Sequence, residues 1–132
     1  MNAVVVDDSL IVLERVASLL RELPMITTVL LAIDGISGLA LIEKERPQLV
    51  VLDIHMPSLD GQRFDSGMDI LKVIKSSANP PAVIMLSNFA EPIYRVRCAQ
   101  LGADAFLDKS NEFDKLLNVA SLLLTQHRPF QA

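Results

Sequence analysis

The sequence predicts an α/β fold, a parallel sheet with helices on both faces. Three observations carry this. A strand-like segment followed by a helix-like one recurs five times along the chain, and such alternation builds parallel sheets through right-handed crossovers. The clearest strand-like segments are short, unbroken, β-branched apolar runs, the pattern of strands covered on both faces. Most of these runs also end in polar residues. In an open parallel sheet those ends share one edge, where ligands bind.

The central run is Leu49-Val50-Val51-Leu52-Asp53-Ile54-His55-Met56-Pro57. Pro57 bars the strand from continuing and marks a loop. Asp53 therefore stands at the carboxyl end of a central strand. A single aspartate there also fits a turn or a cap, so its meaning depends on its neighbours.

The first strand, Asn2 to Val6, carries Val4-Val5-Val6 and ends in Asp7-Asp8-Ser9. Two adjacent carboxylates at a strand end are costly to hold together. A helix cap would explain one of them, but Ser9 already offers that cap. Leu10 to Leu23 is then helical, with Val12, Val16, Leu19, Leu20 and Leu23 on the apolar side and Glu14, Arg15, Ser18, Arg21 and Glu22 on the polar side. Pro24 ends it.

Thr27 to Ala32 reads as the second strand, and Asp34-Gly35 as a turn. Ile36 to Arg46 is amphipathic, and Pro47 separates it from the central strand. After Pro57, the polar stretch Ser58 to Gly67 has no periodicity and reads as an exposed loop. Met68 to Ser77 resumes helical spacing through Ile70, Leu71 and Ile74, until Asn79-Pro80-Pro81 breaks it. Ala82 to Leu86 is the fourth strand and runs into Ser87-Asn88. Glu91 to Leu101 is a helix with Pro92 in its first turn, closed by Gly102. Ala103 to Leu107 is the last strand, ending at Asp108-Lys109-Ser110. Asn111 is the expected cap of a final helix with Phe113, Leu116, Leu117, Ala120, Leu123 and Leu124 inward.

Composition sets the class. The chain has 132 residues, the size of one domain, and 51% hydrophobic residues suffice for a real core. Aromatics are only 5%, so that core is aliphatic. No apolar run approaches the roughly 20 residues needed to span a bilayer, and no basic-then-apolar leader opens the chain. Cys98 is the single cysteine, which excludes an intrachain disulfide and fits a reducing cytoplasm. A net charge of −4 argues against direct nucleic-acid binding, which needs clustered Lys and Arg. It fits ordinary solubility equally well. No repeat or linker divides the chain.

Bringing the strand ends to one edge gathers Asp7, Asp8, Asp53, Ser87 and Lys109. Clustered carboxylates repel by roughly 1–4 kcal/mol per pair, and a hard divalent cation with oxygen ligands removes that repulsion. Mg²⁺ on one or two carboxylates, a lysine for a phosphate oxygen and a hydroxyl beside it make a phosphoryl-transfer set. One carboxylate can then serve as nucleophile and form an aspartyl-phosphate.

The motifs Val4-Val5-Val6-Asp7-Asp8, Leu52-Asp53-Ile54-His55-Met56-Pro57, Ile84-Met85-Leu86-Ser87-Asn88 and Phe106-Leu107-Asp108-Lys109 resemble, in order and over essentially the whole chain, the receiver domain of two-component response regulators. The resemblance implies a doubly wound, five-stranded, flavodoxin-like (βα)5 sheet of order 2-1-3-4-5, a single domain over residues 1–132. It implies a phosphorylation-dependent signalling switch. Asp53 would be the phosphoacceptor, supplied by a histidine kinase or phosphotransfer protein. Asp8 resembles the direct Mg²⁺ (or Mn²⁺) ligand and Asp7 the one acting through water, with the backbone carbonyl of His55 as a further ligand. Lys109 would hold a phosphoryl oxygen. Ser87 matches the switch hydroxyl, and Phe106 the aromatic that turns inward with it. The implied setting is cytoplasmic, as a monomer or weak dimer. No membrane is expected, and catalysis is limited to the chain's own phosphorylation and dephosphorylation.

Residue by residue, plainer readings stand alongside. The His55 side chain suits a site rim, His127 the surface, Phe106 and Cys98 ordinary packing. Three departures from the family pattern stand out. Ser110 replaces a common proline, so a trans peptide is expected after Lys109. The loop after Pro57 is about six residues longer than usual; Asp60, Arg63, Phe64 and Asp65 on it suit a recognition surface or partial lid, or a tolerated insertion. Phe89, two residues past Ser87, would slow dephosphorylation by excluding water.

With no output domain after the last helix, the chain reads as a stand-alone regulator or as a piece of a longer one. Two rivals remain at this level: a small phosphatase-like enzyme with Asp53 as nucleophile, and a degenerate receiver that only binds partners. His55, where such phosphatases need a second acid, opposes the first; the intact acids oppose the second.

Overall fold

The computed structural model describes residues 1–56, 67–88 and 92–126. The expectations placed on Pro57, on the loop Ser58 to Ser66, on Phe89, on Glu91 and on His127 lie outside the described residues. Five strands, β1 (Asn2–Val6), β2 (Thr28–Ala32), β3 (Leu49–Asp53), β4 (Ala82–Ser87) and β5 (Ala105–Asp108), alternate with helices α1 (Leu10–Leu20), α2 (Gly35–Glu45), α3 (Gly67–Lys75), α4 (Pro92–Gln100) and α5 (Leu116–Gln126). The strands form one parallel sheet in the order β2-β1-β3-β4-β5, as the sequence predicts. Among the described residues no helix is long and apolar enough to cross a membrane.

Unbroken apolar strands are explained by two cores. Successive side chains point to opposite faces. On one face Val5, Val51, Ile84 and Leu86 meet Leu13, Val16 and Leu20 of α1 and Leu116, Ala120 and Leu124 of α5. On the other, Val4, Val6, Val50, Leu52, Val83 and Met85 meet Ile42 of α2, Ile70, Leu71 and Ile74 of α3, and Cys98 of α4. Each fully buried aliphatic side chain contributes about 1.5–3 kcal/mol.

The ends of elements differ from expectation for local reasons. Helix α1 stops at Leu20, because Pro24 pushes Leu23 out of helical backbone. Its inward face includes Leu13 and Ala17, four residues apart, which the sequence reading left out. Asp34 is a helix cap, not a turn residue: its carboxylate accepts from the Ser37 N–H at 2.7 Å. Arg46 closes α2 in the left-handed conformation, φ 47°. Asn111 does not cap the last helix. A 3₁₀ turn over Phe113–Lys115 precedes α5, and the Asn111 amide donates to Asp108 instead. Gly102 ends α4 at φ 102°, as expected of a helix-terminating glycine.

Candidate functional site

Parallel pairing brings the polar strand ends together. Val6 pairs with Leu52, so Asp7 leaves β1 beside Asp53 at the end of β3. Asp53 pairs with Leu86, which puts Ser87 one residue further along β4. Ser87 pairs with Asp108, and the Lys109 N–H donates to the Ser87 carbonyl at 2.9 Å. Lys109 thus departs from the sheet beside the β3 and β4 ends.

The side chains converge. The Lys109 Nζ lies 2.7 Å from Asp7 Oδ2 and 3.4 Å from Asp53 Oδ1. Asp7 and Asp53 are buried, at 1% and 5% exposure, while Asp8 faces solvent. Asp7, Asp8 and Asp53 each offer a carboxylate oxygen, and these oxygens all lie within 4.8 Å of one another. Asp7 Oδ1 accepts from the Ser9 N–H at 2.9 Å. Asp7 Oδ2 is buried, and the Lys109 ammonium 2.7 Å away is its charge partner. Three carboxylates that a single lysine cannot neutralise, all offering oxygen, fit a hard divalent cation.

Burial sets the electrostatics. It pushes the Asp53 carboxyl up to about 7, helped by the neighbouring Asp7 charge and opposed by Lys109. Asp7 is also raised, by burial first, against the pull of Lys109. The lysine alone does not offset the cost of this many carboxylates out of water.

Ser87 is fully buried. Phe106 is partly buried against the core beneath α2, α3 and α4. The His55 ring is exposed and packs edge-on against Tyr94 of α4, centroids 5.2 Å apart, so it lines the rim while the acidic cluster comprises the three aspartates. No described peptide bond is cis, Lys109–Ser110 included. Three contributors escaped the sequence reading. Gly67 packs its Cα against the Asp53 carbonyl and donates its N–H to the Ile54 carbonyl at 2.8 Å. Arg95 and Glu112 tie α4 to the segment carrying Lys109. A glycine at a loop-to-helix junction was the one available signal for the first. Nothing in the local sequence pairs Arg95 with Glu112.

The family model described as the response regulator receiver domain matches residues 3–121. The chain belongs to that family.

This receiver domain is 30% identical, over 95% of its length, to a protein-glutamate methylesterase/protein-glutamine glutaminase of Koribacter versatilis, of which it covers 34%. It is 32% identical over 98% of its length to the response regulator MprA of Mycobacterium avium, covering 53% of that protein. The chain spans about a third of the length of the methylesterases it matches. The signal receiver domain of NarL from Mycobacterium tuberculosis superposes with a TM-score of 0.80 at 28% identity, covering 96% of this chain and 97% of that one. The receiver domain of RcsB from Salmonella enterica shares the fold, with a TM-score of 0.83 at 20% identity over 100% of this chain and 93% of that one. Receiver domains are the phosphorylation-dependent switches of two-component signalling. They bind Mg²⁺ and receive their phosphoryl group from histidine kinases or phosphotransfer proteins.

Proposed function

We propose that residues 1–132 act as one receiver unit in which Asp53 accepts a phosphoryl group from a phosphohistidine. The observation that carries this is the approach of one lysine to two buried carboxylates, with a third carboxylate alongside. Asp7, Asp8 and Asp53, with the His55 backbone carbonyl, would hold Mg²⁺ or Mn²⁺. When bound, that cation supplies positive charge that neutralises the acids and the incoming phosphoryl oxygens.

Each residue then has a task. An ionised Asp53 oxygen attacks phosphorus; the new P–O bond forms as the P–N bond to imidazole breaks, and the imidazole leaves. Lys109, already beside Asp53, pairs with a phosphoryl oxygen. Ser87 donates its hydroxyl to another, and Phe106 turns inward as that hydroxyl moves. The output is a changed protein-contact surface, with no reaction on outside substrates. The same reading assigns a cytoplasmic setting and a monomer or weak dimer that does not itself bind nucleic acid.

Incubation with acetyl phosphate and Mg²⁺, read by intact mass, tests it. One phosphoryl group on wild type and none on Asp53→Ala is the expected result. An unmodified wild type, or an Asp53→Ala variant that is still labelled, overturns the assignment; turnover of many phosphate esters would point to a phosphatase.

A further inference from the structure

Arg95 is on α4, away from the acidic cluster, yet its guanidinium is committed in three directions. Nη1 donates to the Phe106 carbonyl at 3.2 Å, Nη2 pairs with Glu112 Oε1 at 2.6 Å, and the guanidinium carbon lies 4.9 Å over the Phe106 ring. Glu112 Oε1 accepts in turn from the Asp108 N–H at 3.0 Å, while the Glu112 N–H donates to the Asp108 carbonyl at 2.8 Å. Asp108 closes the same turn from inside, accepting from the Ser110 N–H at 2.8 Å and the Asn111 amide at 3.1 Å. Lys109 is therefore the one residue of this turn projected into the acidic cluster while the residues on both sides are pinned.

The other end of the link is also tied. Tyr94, next to Arg95, packs on His55 at the β3 rim. Successive residues of α4 thus touch the segment after Asp53 and the segment carrying Lys109. The Arg95 pairing holds the Glu112 carboxyl down at about 2, so the pair stays ionised throughout the physiological range. A planar fork shared between a carboxylate and a carbonyl restrains position as well as charge.

We propose that Arg95 and Glu112 form a clasp that positions Lys109 for the phosphoryl group and couples its placement to α4, the helix flanking Phe106. This rests on the reading of Asp53 as phosphoacceptor. Arg95 and Glu112 are positioning residues: they act through Lys109 and touch no phosphoryl oxygen. A lysine displaced by about 1 Å loses much of its contribution to the transfer.

The experiment measures the rate of Asp53 labelling by acetyl phosphate at saturating Mg²⁺. Mg²⁺ affinity is measured separately by calorimetry, and folding by thermal unfolding. Arg95→Ala and Glu112→Ala should each slow labelling roughly 10-fold, with saturating Mg²⁺ keeping out of the rate any change in Mg²⁺ affinity that follows when the lysine leaves Asp7 and Asp53. Glu112→Gln, which keeps an acceptor for the Asp108 N–H, should fall between wild type and Glu112→Ala. The deciding readout is non-additivity. In a Lys109→Ala background, adding Arg95→Ala should cost nothing further, whereas a general loosening of the fold would still slow labelling. Wild type labelled at Asp53 with Arg95→Ala indistinguishable from it would overturn the clasp alone, as would full additivity with Lys109→Ala. A wild type that takes no phosphate would overturn both readings.

Discussion

The backbone carbonyl oxygen of Asp53 occupies the space that a side chain on Gly67 would need. Any Cβ at Gly67 would fall on that oxygen and on the Asp53 carbonyl carbon and Ile54 Cα, all backbone atoms that no rotamer change can clear. The start of α3 is thereby pressed against the end of β3, immediately behind Asp53.

Gly67→Ala should therefore cost about 1–3 kcal/mol, the usual range for overpacking. It should also slow labelling of Asp53, because relief comes only by moving α3 or β3. Urea unfolding and acetyl phosphate labelling check the two effects. A variant with wild-type stability and rate would mean the helix shifts freely.

The raised Asp53 carboxyl makes metal-free stability depend on pH. Its folded value, about 7, lies above its ordinary one, so its contribution is fully present below about pH 4 and is lost as pH rises through 7. Two outcomes follow for thermal unfolding. In chelator at about pH 8, Asp53→Asn should be more stable than wild type by about 1–3 kcal/mol, since it removes a buried like charge. Added Mg²⁺ should raise the wild-type midpoint more at about pH 8 than at about pH 5.5, where a proton competes for Asp53. Equal Mg²⁺ shifts at both values would contradict the charge-cluster account.

Cys98 is fully buried against the helix-covered core, and burial pushes its thiol up to about 11. The thiolate is the reactive form. A disulfide-exchange reagent at about pH 8 should modify the native protein roughly 100-fold or more slowly than the unfolded chain. Rapid native modification would show that α4 opens away from the sheet.

Arg46 holds a left-handed conformation at the end of α2, with its N–H bonded to the Ile42 carbonyl. Glycine adopts that backbone without a Cβ penalty, at some entropic cost in the unfolded chain. Arg46→Gly should raise stability by about 0.5–1 kcal/mol in urea unfolding, and a loss would mean that the arginine side chain contributes contacts of its own.

Legibility in the sequence followed the range of the interaction. The runs Val4-Val5-Val6, Leu49 to Leu52 and Ala82 to Leu86 read as buried strands because a strand covered on both faces has no polar side to show. Their polar ends read as one cluster because parallel strands share an edge. Local ambiguities went the other way. Asp34-Gly35 has the chemistry of a turn and of a helix start alike, and only the Ser37 N–H within reach of the carboxylate decides between them. Asn111 was a reasonable cap by type, but Asp108 captured its amide and the chain made a 3₁₀ turn first.

From its residues alone the chain determined the number and kind of its elements, the strand edge carrying the acids, and the set Asp7, Asp8, Asp53, Ser87 and Lys109, since apolar periodicity and strand polarity are written locally. Tertiary structure decided how far each acid is buried, that Lys109 sits nearer Asp7 than Asp53, that Gly67 backs onto the Asp53 carbonyl, and that Arg95 reaches Glu112 across the β5 end. Those are distances between segments far apart in sequence. Packing of two cores around one sheet sets them, and no local pattern encodes them.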